Sequence, residues 1–305
     1  MPTRFRNSFP DVMQLCSHIP FYQDLSPWVI DLKSDHFTIQ IERLNKYELI
    51  ALGCFLFNLK FFCSKTNRLV LITYADTHIT VKYVDSFYNE TMASAKYMIE
   101  HRYTDNEPYS RVLISNHTKD ILEGLTYHNN FHIINEKRDL IGHQFHDFAL
   151  HLQHKNPTIS DFLLQKYLKL NKLGFIKKLF QKKLLASYLK ELYTQSSGIV
   201  AFTGKAKTSS AFVKLGEDIQ NFWIHANYWQ ISVQPDYIDL LIAMNAEFNA
   251  LKRELNHFHM NLWSLMNDKA EYQEDILFIA RIGYHKNRKV SKKIHKEQQL
   301  LIIKK

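Results

Sequence analysis

In the stretch GHQFHDFALHLQH (142–154), His143, Asp147, His151 and His154 recur at spacings of 4, 4 and 3. On a helix these side chains share one face. Neutral imidazoles together with a carboxylate suit zinc, iron or nickel. The two ends of that face lie roughly 16 Å apart at about 1.5 Å per residue. One ion therefore takes at most two adjacent members, and its remaining ligands must come from elsewhere, such as His128 or His132. His143, His146, Asp147 and His151 are the candidate metal set. His257 and His259, two apart within a helical pattern, do not face each other and would need a strand to act as a ligand pair.

The second chemical feature is positive charge. The stretch KYLKLNKLGFIKKLFQKKLLASYLK (166–190) holds eight lysines and no acid. It reads as a helical hairpin. Thr158 or Ser160 caps a first helix running to about Leu173, Gly174 ends it, and a second helix spans Phe175 to about Tyr193. On the second helix Ile176, Leu179, Phe180, Leu184 and Tyr188 form an apolar stripe. Lys177, Lys178, Lys182 and Lys183 fall away from that stripe. Lysine ammoniums suit phosphate contacts and carry little base information. GIVAFTGKAKTSS (198–210) has the composition of a phosphate loop but not its spacing. Its Lys205 and Lys207, ahead of a helix N-terminus, would still attract a phosphate group. Arg288 and Lys289 lie in a third basic segment, HKNRKVSKKIHK (285–296). No serine or cysteine sits in a nucleophile motif.

These residues need a frame. HFTIQIERL (36–44) alternates apolar and polar side chains, as a half-buried strand does. Residues 45–62 read as helix, 68–76 and 78–85 as a strand pair, 86–102 as helix, 110–116 as extended and 118–125 as helix. FHIIN (131–135) reads as a strand. From 138 to 195 the pattern is mostly helical; 196–202 is a short strand, 208–229 a helix capped by Ser209 or Ser210, and 275–284 a strand. Residues 235–267 read as one long helix. Along it Phe248, Leu251, Leu255, Phe258, Leu262 and Leu265 form a narrow seam, which belongs either to a monomeric bundle or to a dimer. No internal repeat is evident. The expected fold is α+β and mostly helical. Residues 1–140 form a mixed α/β domain, and residues 141–305 a basic, mainly helical domain with the long seam helix.

The chain has 305 residues, a formal charge of +9 and 46% hydrophobic residues. That is enough for a sizeable core and counts against wholesale disorder. Excess positive charge favours anionic partners, chiefly nucleic acid. Eight glycines are few for a fold built on glycine-rich phosphate loops. Three cysteines without metal-finger spacing point to a reducing compartment. No secretion signal or membrane-length apolar run stands out, so the expected location is cytoplasmic.

SDHFTIQIERLNKYELIALG (34–53) and PDYIDLLIAMNAEFNALKREL (235–255) resemble AcaB-like transcriptional regulators of conjugative plasmids and integrative elements. The resemblance implies a cytoplasmic, homodimeric DNA-binding regulator of ribbon-helix-helix type, with Thr38 and Gln40 facing bases in the major groove. Lys177, Lys178, Lys182, Lys183, Lys205, Lys207, Arg288 and Lys289 would then hold phosphates. This is the leading expectation: a sequence-specific regulator of a mobile element acting on double-stranded DNA, without cofactor, membrane or catalytic residues. A metal-dependent phosphoester or nucleic-acid hydrolase built on the histidine-rich helix is the first alternative. The dipeptide His146-Asp147 resembles the adjacent pair of metal phosphohydrolases. A non-enzymatic protein-binding adaptor is the second alternative.

Overall fold

The computed structural model describes residues 28–33, 36–65, 69–84, 97–99, 108–126, 130–168, 175–205, 207–244, 246–266, 275–284 and 302–304, together with Cys16 and Ile19. The first part of the chain forms β1 (Val29–Leu32), β2 (His36–Gln40), α1 (Lys46–Lys65), β3 (Leu69–Tyr74) and β4 (His78–Val84). A capping box starts α1. Asn45 Oδ1 accepts from the backbone N–H groups of Tyr47 and Glu48, and Glu48 Oε2 accepts from Asn45 N–H at 2.7 Å. The alternation in β2 works as its sequence predicts: Phe37 and Ile39 are fully buried, Thr38 is half-buried and Gln40 is exposed.

The later part forms α2 (Asn116–Glu123), β5 (Asn130–Ile134), α3 (Arg138–Lys155), α4 (Pro157–Leu168), α5 (Phe175–Thr194), β6 (Gly198–Gly204), α6 (Ser209–Tyr228) and β7 (Ile231–Pro235). Then come α7 (Tyr237–Met244), a 3-10 turn (Ala246–Leu251), α8 (Lys252–Met266), β8 (Asp275–Tyr284) and β9 (Ile302–Lys304). Thr208 caps α6, its hydroxyl accepting from Ala211 N–H at 3.2 Å, in place of the expected Ser209 or Ser210. Asn156, rather than Thr158 or Ser160, supplies the side-chain cap of α4, accepting from Thr158 N–H. Residues 86–96 and 100–102 of the expected helix, the expected helix end at Leu173 and Gly174, and the basic segment 285–296 lie outside the described residues.

The two sheets repeat one plan. The first has the order β3-β4-β2-β1, with β9 added parallel to β1; the second has the order β7-β8-β6-β5. Apart from β9, every pairing in both sheets is antiparallel. The unit is strand, strand, helix, strand, strand, and it occurs twice. Its helices α1 and α6 pack against each other along their lengths. Leu52, Gly53 and Asn58 of α1 stand where Leu215, Gly216 and Asn221 stand in α6, so the expectation of no internal repeat is corrected. The helices cross at the two glycines, where a Cβ on either would lie within 3 Å of the other's Cα.

The second unit differs by two insertions. Residues 33–35 join β1 to β2, whereas β5 and β6 are separated by α3, α4 and α5. Residues 75–77 join β3 to β4, whereas β7 and β8 are separated by α7, the 3-10 turn and α8. These inserted helices pack on the outer face of the second sheet and form a second core with Phe145, Leu152, Leu189, Ile279 and Phe258. The main core lies between the sheets and around α1 and α6, and it joins residues from both sides of the boundary expected at residue 140. The second sheet is therefore covered on both faces, and β6 is buried along nearly its whole length. Among the described residues the core covers one face of the first sheet, and β2 alternates accordingly.

Two expectations change here. Residues 235–267 are not one helix, because α7 and α8 are separated by the 3-10 turn. Seam residues Phe248, Leu251, Leu255, Phe258 and Leu262 are buried within the chain's own second core. The ribbon-helix-helix arrangement is also not formed. That motif needs a free strand edge to pair with a second copy, and β2 has β1 on one edge and β4 on the other.

Candidate functional site

The two insertions meet along α3 and α8. Phe148 stacks on Phe258 with ring centroids 4.1 Å apart and planes within 5°, and Phe145 meets Phe258 edge-on at 4.9 Å. Phe162, just beyond α3, meets Phe248, just before α8. His132, just before α3, meets Trp263 near the end of α8. The helices therefore run antiparallel. Outside the phenylalanine contact they leave a cleft of about 490 Å3 lined by Gln144, Asp147, His151 and Lys155 from α3 and by Arg253, Glu254, His257 and Asn261 from α8.

The geometry selects among the sequence candidates. Asp147 and His151 line the cleft. His143 is exposed on α3 outside its lining, and His146 is held by Asp147, Nδ1 to Oδ1 at 2.9 Å. Among the described residues no group of three or more His, Cys, Asp or Glu side chains could hold a metal ion. Arg253, Glu254 and Asn261 were not expected as site residues, and His257 was weighed only as a ligand partner of His259. The signal for them was present: they recur at helical spacing beside the buried stripe Leu255, Phe258 and Leu262.

His257 and His259 face different ways, as residues two apart on a helix must. His259 Nε2 lies 2.9 Å from Asp239 Oδ1 of α7, and Tyr47 of α1 donates to Asp239 Oδ2 at 3.1 Å. Burial acts to raise the Asp239 carboxyl. The charges of His259 and Lys46, with hydrogen bonds from His259 and Tyr47, outweigh it and hold the carboxyl below its usual range. Burial and the neighbouring Asp239 push the Tyr47 hydroxyl up. Burial pulls the Lys46 ammonium down, against the opposing pull of Asp239 and Asp275. This cluster ties the second insertion to the first unit's central helix.

The candidate cations sit on separate elements. Lys183 is exposed on α5, and Lys205 and Lys207 are exposed between β6 and α6. The side chains of Lys177, Lys178 and Lys182, and all of Arg288 and Lys289, lie outside the described residues. Thr38, half-buried, and Gln40, exposed, lie on the face of the first sheet opposite the core, where Thr38 neighbours Asp31 and Thr80 and Gln40 neighbours His78.

Fold and surface together define a duplicated α+β protein with a helical cleft built by insertions in its second unit. No protein-family model matches the chain, and no curated protein matches it. Among solved structures, the FMN-dependent nitroreductase NfnB from Mycobacterium smegmatis, in complex with NADPH, aligns over 64% of this chain and 88% of its own. The TM-score is 0.42 and the identity 9%, a likeness too slight to carry an argument. No helix among the described residues is long and apolar enough to cross a membrane.

Proposed function

We propose that the chain binds double-stranded DNA and serves as a regulator of a mobile element. Phosphates are held by Lys177, Lys178, Lys182, Lys183, Lys205, Lys207, Arg288 and Lys289. The observation that carries this reading is charge left unneutralised. Lys183, Lys205 and Lys207 are exposed and have no acidic partner among the described residues. Lys33, Lys60 and Lys119, by contrast, pair with Asp31, Glu217 and Glu123. Free surface ammoniums release counterions from DNA and give affinity without base selection. The regulatory role rests on the resemblance to AcaB-like regulators.

Base reading by Thr38 and Gln40 takes place, in this proposal, from the face of the first sheet opposite the core rather than from a two-stranded ribbon. The seam packs inside the chain, so it is not the contact of a dimer. The metal-dependent hydrolase ranks behind this reading, because among the described residues no three His, Cys, Asp or Glu side chains are placed to hold a metal ion.

Fluorescence anisotropy with labelled duplexes over a range of salt concentrations tests the proposal. Lys205→Gln with Lys207→Gln lowers the magnitude of the salt slope by about 2 and weakens binding to all sequences alike. An unchanged slope removes this loop from the interface. No binding to any duplex at low salt, with a protein partner recovered by pull-down, would favour the adaptor instead.

A further inference from the structure

We propose that the cleft between α3 and α8 binds a small molecule carrying a carboxylate or phosphate group at one end and hydrogen-bonding groups along its length. The antiparallel helices put Lys155, at the end of α3, and Arg253, at the start of α8, at the same end of the cleft. Gln144 and Asn261 mark the other end. Glu254 stands beside Arg253 at the first end, and Asp147, His151 and His257 lie between the two ends. The eight polar side chains include donors and acceptors on both walls, and among the described residues none bonds across the cleft. Asp147 bonds only to its sequence neighbour His146. Glu254 Oε2 is shielded from solvent and has no hydrogen-bond partner.

The physical reason for the gap is the Phe148–Phe258 stack, which sets the helix separation. Asp147, His151, Lys155, Arg253, His257 and Asn261 are exposed and Gln144 and Glu254 half-buried, so the one unmet buried group among them is Glu254 Oε2, which a donor on a bound molecule would satisfy. A cleft of about 490 Å3 falls within the range of small-molecule sites. Two cations at one end, one of them a guanidinium with a planar fork, suit a carboxylate or phosphate. Glu254 beside Arg253, and the imidazoles and Asp147 carboxylate beyond, suit hydroxyl or amino groups. The first unit has no counterpart of this cleft, because both helices belong to insertions that it lacks.

The test is titration of the full chain with inorganic phosphate, O-phosphoserine and glutamate, followed by histidine-ring NMR. His151→Gln, His257→Gln and His143→Gln variants assign the signals. The His151 and His257 signals move saturably with at least one of the three probes, while His143, exposed outside the cleft, stays still. Arg253→Gln and Lys155→Gln each weaken the response about tenfold or more without changing DNA affinity or the circular dichroism spectrum. Equal movement of all three histidines, or no saturable response to any probe, overturns the proposal. So does stoichiometric zinc binding at His151 and His257 without anion binding. None of these results touches the DNA reading, which uses other residues.

Discussion

Gly53 and Gly216 are reciprocal. A Cβ on Gly53 would lie 1.9 Å from the carbonyl oxygen of Val213, and a Cβ on Gly216 would lie 2.0 Å from that of Ile50. Val213 and Ile50 occupy the same place in their helices, as the two glycines do. Each unit thus offers the other the same surface, which is the arrangement of an isologous interface formed here within one chain.

Alanine at either glycine forces the central helices apart, because the obstructing atom is backbone and cannot rotate away. Gly53→Ala and Gly216→Ala are each expected to cost about 3 kcal/mol or more, measured by urea denaturation. The double variant loses less than the sum of the two, since one displacement relieves both clashes. Full additivity would mean that the helices do not meet here.

Asn58 is a buried polar link one turn farther along the same interface. Its Oδ1 accepts from Gln220 Nε2 at 2.7 Å and its Nδ2 donates to the Cys16 carbonyl at 3.0 Å. Asn58→Ala strands both partners and is expected to cost about 2 kcal/mol. Combining it with Gln220→Leu restores part of the loss, which thermal unfolding of the two variants would show.

Asp239 makes stability depend on acid. Its folded carboxyl lies below the unfolded value through His259, Lys46 and Tyr47, against the burial that raises it. The nearby Asp236 and Asp275 carboxylates face Tyr47 and Lys46. Because the folded value is depressed, its contribution is fully present above the unfolded carboxylate value of about 4. It is lost as pH falls from there through the folded value. Asp239→Asn is expected to flatten the acid limb of stability against pH while lowering stability at neutral pH. An unchanged acid limb would place the titration elsewhere.

Thr208 holds the first turn of α6 through its bond to Ala211 N–H. Thr208→Ala is expected to destabilise by about 1 kcal/mol, whereas Thr208→Ser changes little. Both are read from denaturation midpoints.

Much of the local structure was legible in the sequence, because local signals specify it. The alternation of HFTIQ (36–40) identified β2, the uninterrupted apolar run GIVAF identified β6, and the pattern of residues 208–229 identified α6. On α3 the spacing of Asp147 and His151 placed them on one face, and both line the cleft. The continuous helix expected over 235–267 failed for a physical reason. Absence of glycine and a well-spaced seam permit a helix, but the 3-10 turn lets Phe248 meet Phe162 while Phe258 stacks on Phe148.

The duplication was hidden in the sequence. In the central helices it survives chiefly as Leu52-Gly53 with Asn58 and Leu215-Gly216 with Asn221, and two long insertions interrupt the second copy. Composition, charge and periodicity by themselves determined an α+β chain with a large core, exposed lysines and a histidine-bearing helix. Only the tertiary structure decided that β2 is an interior strand, that the seam is internal, and that His151 shares a cleft with His257. Strand neighbours and helix partners are long-range choices, set by which apolar faces cover one another, and no spacing within a single element encodes them.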